Sequence, residues 1–343
     1  MGEIEHSFVV SVECITYNHT RYIRDTMTGF VNQETCFPYV CVLVDDASID
    51  GEPKVIKHYM ETDFVSPAQT EETDDYFFIY SQNKWNKNCF FAVYLLKNNH
   101  YSINKSKELY FNTFRKSTKY LALCEGDDYW TDSFKLQKQV SYLDSHSSCS
   151  LCHTAFSFYY SNENRFKRHV IKNKQYDNED IREKILEDNA YRIQTVTTMF
   201  RCSDYLYVTS KDPILFSGHF KMGDTQLWIC LLSIGNIGYI NDDTSVYRIL
   251  ENSASHQEDI SKRLAFNLSV LEMRLYVRKN YIGDSLFKWI IDKMRFYRAL
   301  CLYLQIDKEF RPVYKNVCTN LVVYFSGKKP FSIYAKKCLN NYK

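Results

Sequence analysis

Short apolar runs alternate with amphipathic stretches along the first part of the chain. Residues 8–15 and 39–44 are β-branched runs, and each of them ends in a polar turn. Helical spacing follows over residues 20–32 and in the stretch that ends at Met60, and a third apolar run covers residues 76–80. This alternation predicts a parallel α/β sheet. Ligands of such sheets bind beyond the carboxyl ends of the strands, which is where both polar turns lie.

The alternation of strands and helices continues to about residue 248. After a polar stretch that begins near residue 82, the pattern predicts helices near residues 106–114, 133–145, 178–189 and 223–234, and strands near 120–124, 150–160 and 238–240, the last of which leads to residues 246–248. Residues 162–174 form a charged, lysine-rich excursion, and the chain returns through residues 195–201. Beyond His256 long helical patterns replace the alternation. We therefore expect one domain over residues 1–256 and a helical extension over residues 257–343.

The composition excludes several classes of protein. Hydrophobic residues make up 45% and charged residues 24% of the 343 residues, so the chain can bury a core, and intrinsic disorder is excluded for most of it. The net charge of +2 gives no support to a strongly basic nucleic-acid-binding protein. The chain has 10 glycines and neither a G-x-x-x-x-G-K nor a G-x-G-x-x-G motif, which argues against P-loop NTPases and Rossmann dehydrogenases.

The near-neutral net charge of the whole chain is the sum of a basic C-terminal extension and an acidic preceding part. Residues 257–343 carry 17 basic and 7 acidic side chains, whereas the preceding residues carry 26 basic and 34 acidic ones. Residues 285–306 have an amphipathic helical pattern in which lysine and arginine alternate with aromatic residues. This pattern suits the face of an anionic membrane, and it equally suits a helix packed on the preceding domain with its basic face in water.

The segment Glu125-Gly126-Asp127-Asp128 is the strongest chemical signal in the chain. Three carboxylates within four positions directly follow a predicted buried strand, and they would repel one another without a counter-charge. A divalent cation such as Mg²⁺ would relieve that repulsion, since it binds carboxylates together with phosphate oxygens and water. The alternative is an acidic N-cap for the next helix, although Asp132 or Ser133 could supply that cap alone.

A second acidic turn, Asp45 to Asp50, follows the second predicted strand. Carboxylates at this edge can accept hydrogen bonds from a nucleobase N–H or a ribose hydroxyl. A capped helix start at Ser48 or Asp50 explains the same residues equally well.

Five segments in this order resemble the family 2 glycosyltransferases of the inverting GT-A type. They are residues 10–19 (VSVECITYNH), 44–50 (VDDASID), 125–130 (EGDDYW), 222–228 (MGDTQLW) and 246–256 (VYRILENSASH). The resemblance covers about residues 7–256, and the basic extension lies outside it. It implies an α/β fold with a mixed, mainly parallel central sheet flanked by helices.

The resemblance also implies roles for single residues. Nucleotide binding falls on Thr16, Tyr17, Asp45 and Asp46, and contacts to the donor diphosphate fall on Glu125, Asp128 and Arg248. Arg248 could instead pair with one of the chain's own carboxylates. The bound Mn²⁺ or Mg²⁺ would be held by Asp127 first, with Asp128 or Glu125 acting directly or through water, and His256 is a further candidate ligand. Asp224 stands where the family has its catalytic base, although a plain helix N-cap is the alternative for this residue.

The expected activity is metal-dependent transfer of a sugar, with inversion, from a nucleoside-diphosphate sugar, most simply a UDP-sugar. The acceptor would be a hydroxyl of a glycan or a lipid-linked molecule in bacterial surface-polysaccharide synthesis. Two alternatives stay open, namely a sugar-phosphate nucleotidyltransferase and an inactive family member that acts as a membrane-peripheral interaction protein. The polar, acidic N-terminus and the absence of an 18-residue apolar run predict a cytoplasmic protein, with peripheral membrane contact through the extension.

Overall fold

The structure is a computed structural model that describes residues 7–66, 68–103, 105–171, 178–186, 191–250 and 260–282, together with 290–293, 295–296 and 299. The chain forms two compact units. The first comprises Met1–Pro213 and Leu227–Ile249, and the second comprises Ile214–Gln226 and Leu250–Lys343. The division into a domain over 1–256 and an extension over 257–343 stays a prediction.

A mixed sheet of eleven strands forms the centre of the first unit within the described part of the chain. The strands are β1 (Phe8–Thr16), β2 (Tyr39–Asp45), β3 (Gln69–Glu72), β4 (Tyr76–Gln82), β5 (Cys89–Leu96), β6 (Thr118–Leu123), β7 (Tyr129–Trp130), β8 (Cys149–Tyr160), β9 (Arg165–His169), β10 (Thr198–Arg201) and β11 (Asn236–Ile249). Their order is β3-β4-β5-β2-β1-β6-β10-β8-β11-β7, and β9 pairs with β8. The neighbours β5, β2, β1 and β6 are all parallel. The predicted mixed, mainly parallel sheet with flanking helices is confirmed.

Helices of the first unit cover both faces of the parallel strands because the side chains of each strand alternate between the two faces. The described residues of the two units together contain the helices α1 (Ile23–Val31), α2 (Glu52–Asp63), α3 (Glu108–Arg115), α4 (Lys135–Ser145), α5 (Asn178–Leu186), α6 (Cys202–Lys211), α7 (Pro213–Phe216), α8 (Asp224–Leu232) and α9 (Ile260–Val277). Cys41 and Leu43 of β2 belong to a buried cluster with α1, α2 and α4, whereas Val40 and Val42 belong to a second cluster with α3. Parallel strands buried on both faces read as continuous apolar runs, as β2 does.

The prediction of the third parallel strand was wrong. The predicted run over residues 76–80 is β4, which pairs antiparallel with β5, and β5 is the strand that lies parallel to β2. All eight residues of β5 are buried, although the sequence reading placed them in a polar stretch. The lysine-rich excursion also contains a strand, β9, which folds back on β8 as an antiparallel partner.

A buried ion pair joins the centre of the sheet to α3. The Arg115 Nε lies 2.5 Å from Glu13 Oε1, and its Nη2 lies 2.6 Å from Glu13 Oε2. Both side chains are buried, with Arg115 4% and Glu13 8% exposed. Burial raises the pKa of Glu13, and the Arg115 guanidinium opposes that shift. Removal of the arginine alone would therefore leave a buried carboxylate without its counter-charge.

We expect an Arg115→Met variant to lose about 3–5 kcal/mol of unfolding free energy, because Glu13 stays buried and unpaired. Urea denaturation followed by circular dichroism measures this loss. The matched control is Lys119→Met, which breaks an exposed pair with Asp144. Exposed pairs contribute about 0–1 kcal/mol, so equal losses in the two variants would contradict the assignment of Arg115 as a buried structural cation.

The second unit contains residues 214–226 and α9. The backbone N–H of Lys221 donates to the Ser269 hydroxyl across 2.9 Å. Arg278 and Asp292 form a buried ion pair of 2.8 Å within the same unit. Most of the predicted helix over residues 285–306 lies outside the described residues, so its membrane contact stays a prediction. No helix among the described residues is long and apolar enough to cross a bilayer.

Candidate functional site

The polar turns after β1 and β2 are held together by the buried carboxylate of Glu52, the first residue of α2. Glu52 Oε1 accepts the hydroxyl of Thr16, and Oε2 accepts the backbone N–H of His19 and the hydroxyl of Ser48 at 2.8 and 2.9 Å. Asn18 adopts a left-handed conformation, with φ of 57°, and donates its N–H to Ser48 Oγ across 2.8 Å. One acidic side chain therefore sets the relative position of two loops at the carboxyl edge of the sheet.

The acidic loop after β6 packs directly on the loop after β1. The backbone N–H of Gly126 donates to the carbonyl of Ile15 across 3.1 Å. A Cβ at Gly126 would lie 2.0 Å from Thr16 Oγ1, so only glycine permits this approach. The next residue, Asp127, is partly exposed, and its Oδ2 lies 3.9 Å from His19 Nε2. The carboxyl ends of β1 and β6 thus bring Thr16, His19 and Asp127 into one group.

Asp128 points into the protein, whereas Glu125 is exposed. Asp128 Oδ1 accepts the backbone N–H of Arg248 across 2.8 Å, and its buried Oδ2 has no hydrogen-bond partner among the described residues. Burial, and after it the charges of Asp127 and Glu125, raise the pKa of Asp128 well above its ordinary value. An unpartnered oxygen among like charges is an environment that a divalent cation would stabilise. The acidic loop is therefore chemically suited to a hard metal ion.

Arg248 contacts groups of the protein itself. Its Nη2 lies 2.5 Å from Asp25 Oδ2, and its Nη1 donates to the carbonyl of Asp127 across 2.7 Å. The rings of Tyr22 and Tyr129 lie 5.0 and 4.3 Å from the guanidinium carbon. The structure thus shows the pairing with a carboxylate that the sequence left open. A contact between Arg248 and a donor diphosphate stays a prediction.

Asp45 ends β2 and keeps one carboxylate oxygen without a partner. Its Oδ2 accepts the backbone N–H of Ser48 across 3.2 Å, whereas the buried Oδ1 has no hydrogen-bond partner in the described part of the chain. Burial raises the pKa of Asp45 to about 7. A ligand N–H would satisfy this oxygen, which makes Asp45 a chemically suitable acceptor for a nucleobase or ribose donor.

Asp46 has a structural role that its place in the motif does not reveal. Its carboxylate accepts the backbone N–H groups of His100 and Tyr101 at 2.7 and 3.1 Å, and Lys107 Nζ lies 2.9 Å from Oδ2. Asp46 therefore fastens the segment after β5 to the turn after β2. A nucleotide that contacts Asp46, as predicted, would have to do so while these two hydrogen bonds and this ion pair are kept. Tyr17, by contrast, is 42% exposed at the same edge.

Asp224 begins α8 and belongs to the second unit. Its Oδ1 accepts the backbone N–H of Thr225 across 2.6 Å and the hydroxyl of Thr225 across 3.3 Å. Burial raises the pKa of Asp224. His256 lies outside the described residues, so its predicted role as a ligand stays a prediction. Among the described residues no group of three or more His, Cys, Asp or Glu side chains is placed to hold a metal ion.

Two residues of this edge, Glu52 and His19, were not among the predicted site residues. His19 stands in the polar turn after β1, and Glu52 follows the second acidic turn by two positions. The signal for Glu52 was an acidic residue at a helix start, which ordinarily indicates an exposed cap rather than a buried acceptor. The contact between His19 and Asp127 joins positions more than a hundred residues apart, and sequence spacing does not reveal it.

Comparison with known proteins identifies the fold of this chain. No family model matches the chain. The uncharacterized proteins Rv1520 of Mycobacterium tuberculosis and Mb1547 of Mycobacterium bovis are each 34% identical over 143 residues, which is 42% of this chain and 34% of the relative, so the match spans about a third of their length. S. aureus TarS 1–349 in complex with UDP superposes with a TM-score of 0.51 at 13% identity, covering 96% of this chain and 87% of TarS. Its complex with UDP-GlcNAc gives 0.53 at 12% identity, covering 95% and 89%. The chain therefore has the fold of the GT-A glycosyltransferases.

Proposed function

We propose that this protein transfers a sugar, with inversion, from a UDP-sugar to a hydroxyl of a glycan or lipid-linked acceptor, as a family 2 glycosyltransferase of surface-polysaccharide synthesis. One observation carries the proposal. The carboxyl edge of the parallel strands holds both an unpartnered Asp45 oxygen and an acidic loop with a partly exposed Asp127. Nucleotide recognition and diphosphate binding need these two features side by side, and the GT-A fold supports the same interpretation.

The nucleoside would bind at the ends of β1 and β2. Asp45 Oδ1 would accept a base N–H, and the exposed ring of Tyr17 would cover one face of the nucleoside. Thr16 is buried and bonded to Glu52, so it would shape this pocket through its backbone. The complexes of TarS with UDP and UDP-GlcNAc support UDP as the nucleotide.

The diphosphate would bind at the acidic loop with a divalent cation, Mn²⁺ or Mg²⁺. Asp127 would hold the ion directly, and Asp128 and Glu125 would add negative charge near it. When bound, such an ion stabilises the charge that develops on the leaving diphosphate as a Lewis acid. The raised pKa of Asp128 supports this assignment, because a cation would remove the repulsion that contributes to the shift.

Asp224 would remove the proton of the acceptor hydroxyl in a single displacement. Burial raises the pKa of this carboxylate, which makes the ionised form a stronger base than an exposed aspartate. The bonds from Thr225 hold Oδ1, so Oδ2 is the oxygen that we expect to take the proton.

The experiment that tests the proposed function is a donor screen with Mn²⁺. We expect UDP-sugars, but not GDP- or dTDP-sugars, to be hydrolysed slowly without acceptor and to raise the melting temperature of the protein. An Asp45→Asn variant should bind UDP roughly 10- to 150-fold more weakly, since a hydrogen bond to a charged group contributes about 1.5–3 kcal/mol. Isothermal titration calorimetry measures this affinity, with the exposed Asp74→Asn as the matched control. A protein that binds and hydrolyses none of these donors would contradict the proposal.

A further inference from the structure

The hydroxyl of Thr16 lies between two groups that both compete for its single proton. It donates to Glu52 Oε1, and His19 Nδ1 lies 3.1 Å from the same oxygen. The other oxygen of Glu52 already accepts two protons, from the His19 backbone N–H and from the Ser48 hydroxyl. Ser48 Oγ itself accepts the N–H of Asn18, so its own hydroxyl proton is the one that it gives to Glu52. Glu52 therefore accepts three hydrogen bonds.

This arrangement makes Nδ1 the nitrogen of the His19 ring that donates to Thr16. Because the Thr16 hydroxyl gives its proton to Glu52, its oxygen can only accept from His19 Nδ1. A neutral imidazole with a proton on Nδ1 has a lone pair on Nε2. In the neutral ring, the relay from Glu52 through Thr16 therefore places the Nε2 lone pair on the side away from Thr16.

The lone pair of His19 Nε2 faces a second acceptor. Asp127 Oδ2 lies 3.9 Å from Nε2, which is too long for a hydrogen bond. Two facing acceptors are stable together when a cation lies between them. Metal bonds to imidazole nitrogen and carboxylate oxygen are about 2 Å each, so a single ion can span such a separation.

We propose that His19 Nε2 is a ligand of the divalent cation beside Asp127, with Thr16 and Glu52 as the outer partners that hold the ring in the required tautomer. The inference rests on the proposed function, because the donor diphosphate and water would complete the coordination. Imidazole is a ligand of first-row transition ions more than of Mg²⁺, so this pair of side chains favours a transition ion such as Mn²⁺ over Mg²⁺. Gly126 makes the pair possible, since a Cβ there would lie 2.0 Å from Thr16 Oγ1 and 3.1 Å from His19 Nδ1.

The test is electron paramagnetic resonance of Mn²⁺ added to the full chain, with and without UDP. The signal of free Mn²⁺ gives the affinity, and spin-echo modulation reports a directly bound imidazole nitrogen. We expect this modulation in the wild-type protein. The His19→Ala variant should lose it and bind Mn²⁺ at least tenfold more weakly, whereas the exposed His58→Ala should change neither measurement.

Glu52→Gln tests the relay without removing a ligand. The glutamine oxygen would replace Oε2, because two donors point at that position, so its NH₂ group would donate to Thr16. The Thr16 hydroxyl would then donate to His19 Nδ1 and move the ring proton to Nε2. We expect Mn²⁺ affinity to fall about 10- to 100-fold, as for other outer-shell changes, with an unchanged circular dichroism spectrum. Undiminished affinity in the folded variant would overturn the relay.

The remaining outcomes separate the failure of this inference from the failure of the proposed function. Mn²⁺ bound without nitrogen modulation would overturn the role of His19 and leave sugar transfer intact. Modulation that disappears in His256→Ala and persists in His19→Ala would assign the nitrogen to His256 and also overturn it. Equal Mn²⁺ affinity in His19→Ala and wild type would likewise overturn the role of His19 as a ligand. Absence of Mn²⁺ binding even with UDP, together with a negative donor screen, would overturn both.

Discussion

An Asp127→Asn variant is expected to lose roughly 100- to 1,000-fold in the rate of sugar transfer, the range measured when one stabilising group is removed from a developing charge. Asp127 is the partly exposed carboxylate of the acidic loop, and its neighbour Asp128 is buried and bonded to the backbone of Arg248. Asparagine has nearly the same shape but no charge, so the fold should persist while the affinity for Mn²⁺ falls. Turnover of a UDP-sugar and Mn²⁺ titration by electron paramagnetic resonance measure the two effects.

The control for this variant is Asp74→Asn, which removes an exposed carboxylate in the turn between β3 and β4. It should leave turnover and Mn²⁺ affinity unchanged. Asp128→Asn is not an equivalent control. Burial raises the pKa of Asp128, and the substitution would also alter the hydrogen bond that its carboxylate accepts from the backbone N–H of Arg248. Full activity of Asp127→Asn at low Mn²⁺ concentration would exclude Asp127 from diphosphate binding.

Three strands of the sheet were predictable from apolar runs that end in polar turns. β1, β2 and β6 were predicted within one or two residues of their observed ends, because short apolar runs bounded by polar residues are typical of buried strands. β5 carries the same signal, an unbroken run of eight apolar residues, but the polar residues on both sides of it were given more weight. The antiparallel pairs β4–β5 and β8–β9 depend on contacts that periodicity does not encode.

Residue types identified the candidate site better than they identified individual contacts. Asp45 and Asp46 looked equivalent in sequence, yet Asp45 keeps an unpartnered oxygen whereas Asp46 holds the backbone of His100 and Tyr101. That difference depends on the segment after β5, which lies more than fifty residues away along the chain. Hydrogen-bond partners at such separations follow from the order of strands in the sheet, and the sequence reading had misplaced the strand that positions this segment.

An Asp224→Asn variant is expected to lose roughly 100- to 10,000-fold in the rate of transfer and to keep its affinity for UDP and Mn²⁺, because general-base catalysis contributes about this much. Only the ionised carboxylate can accept the acceptor proton. Burial raises the pKa of Asp224, so wild-type turnover at saturating donor should fall as the pH decreases through that raised pKa and should be constant above it. Calorimetric titration with UDP and a pH profile of turnover measure the two halves of the prediction.

Asp204→Asn is the matched control for this variant. Asp204 also lies in the first turn of a helix, α6, and burial also raises its pKa, but no role in the reaction is proposed for it. The control therefore separates loss of a proton acceptor from loss of a helix-start carboxylate. If Asp224→Asn and Asp204→Asn lost equal activity, Asp224 would be an N-cap. If Asp224→Asn lost UDP affinity together with turnover, its carboxylate would act in donor binding rather than in removing the acceptor proton.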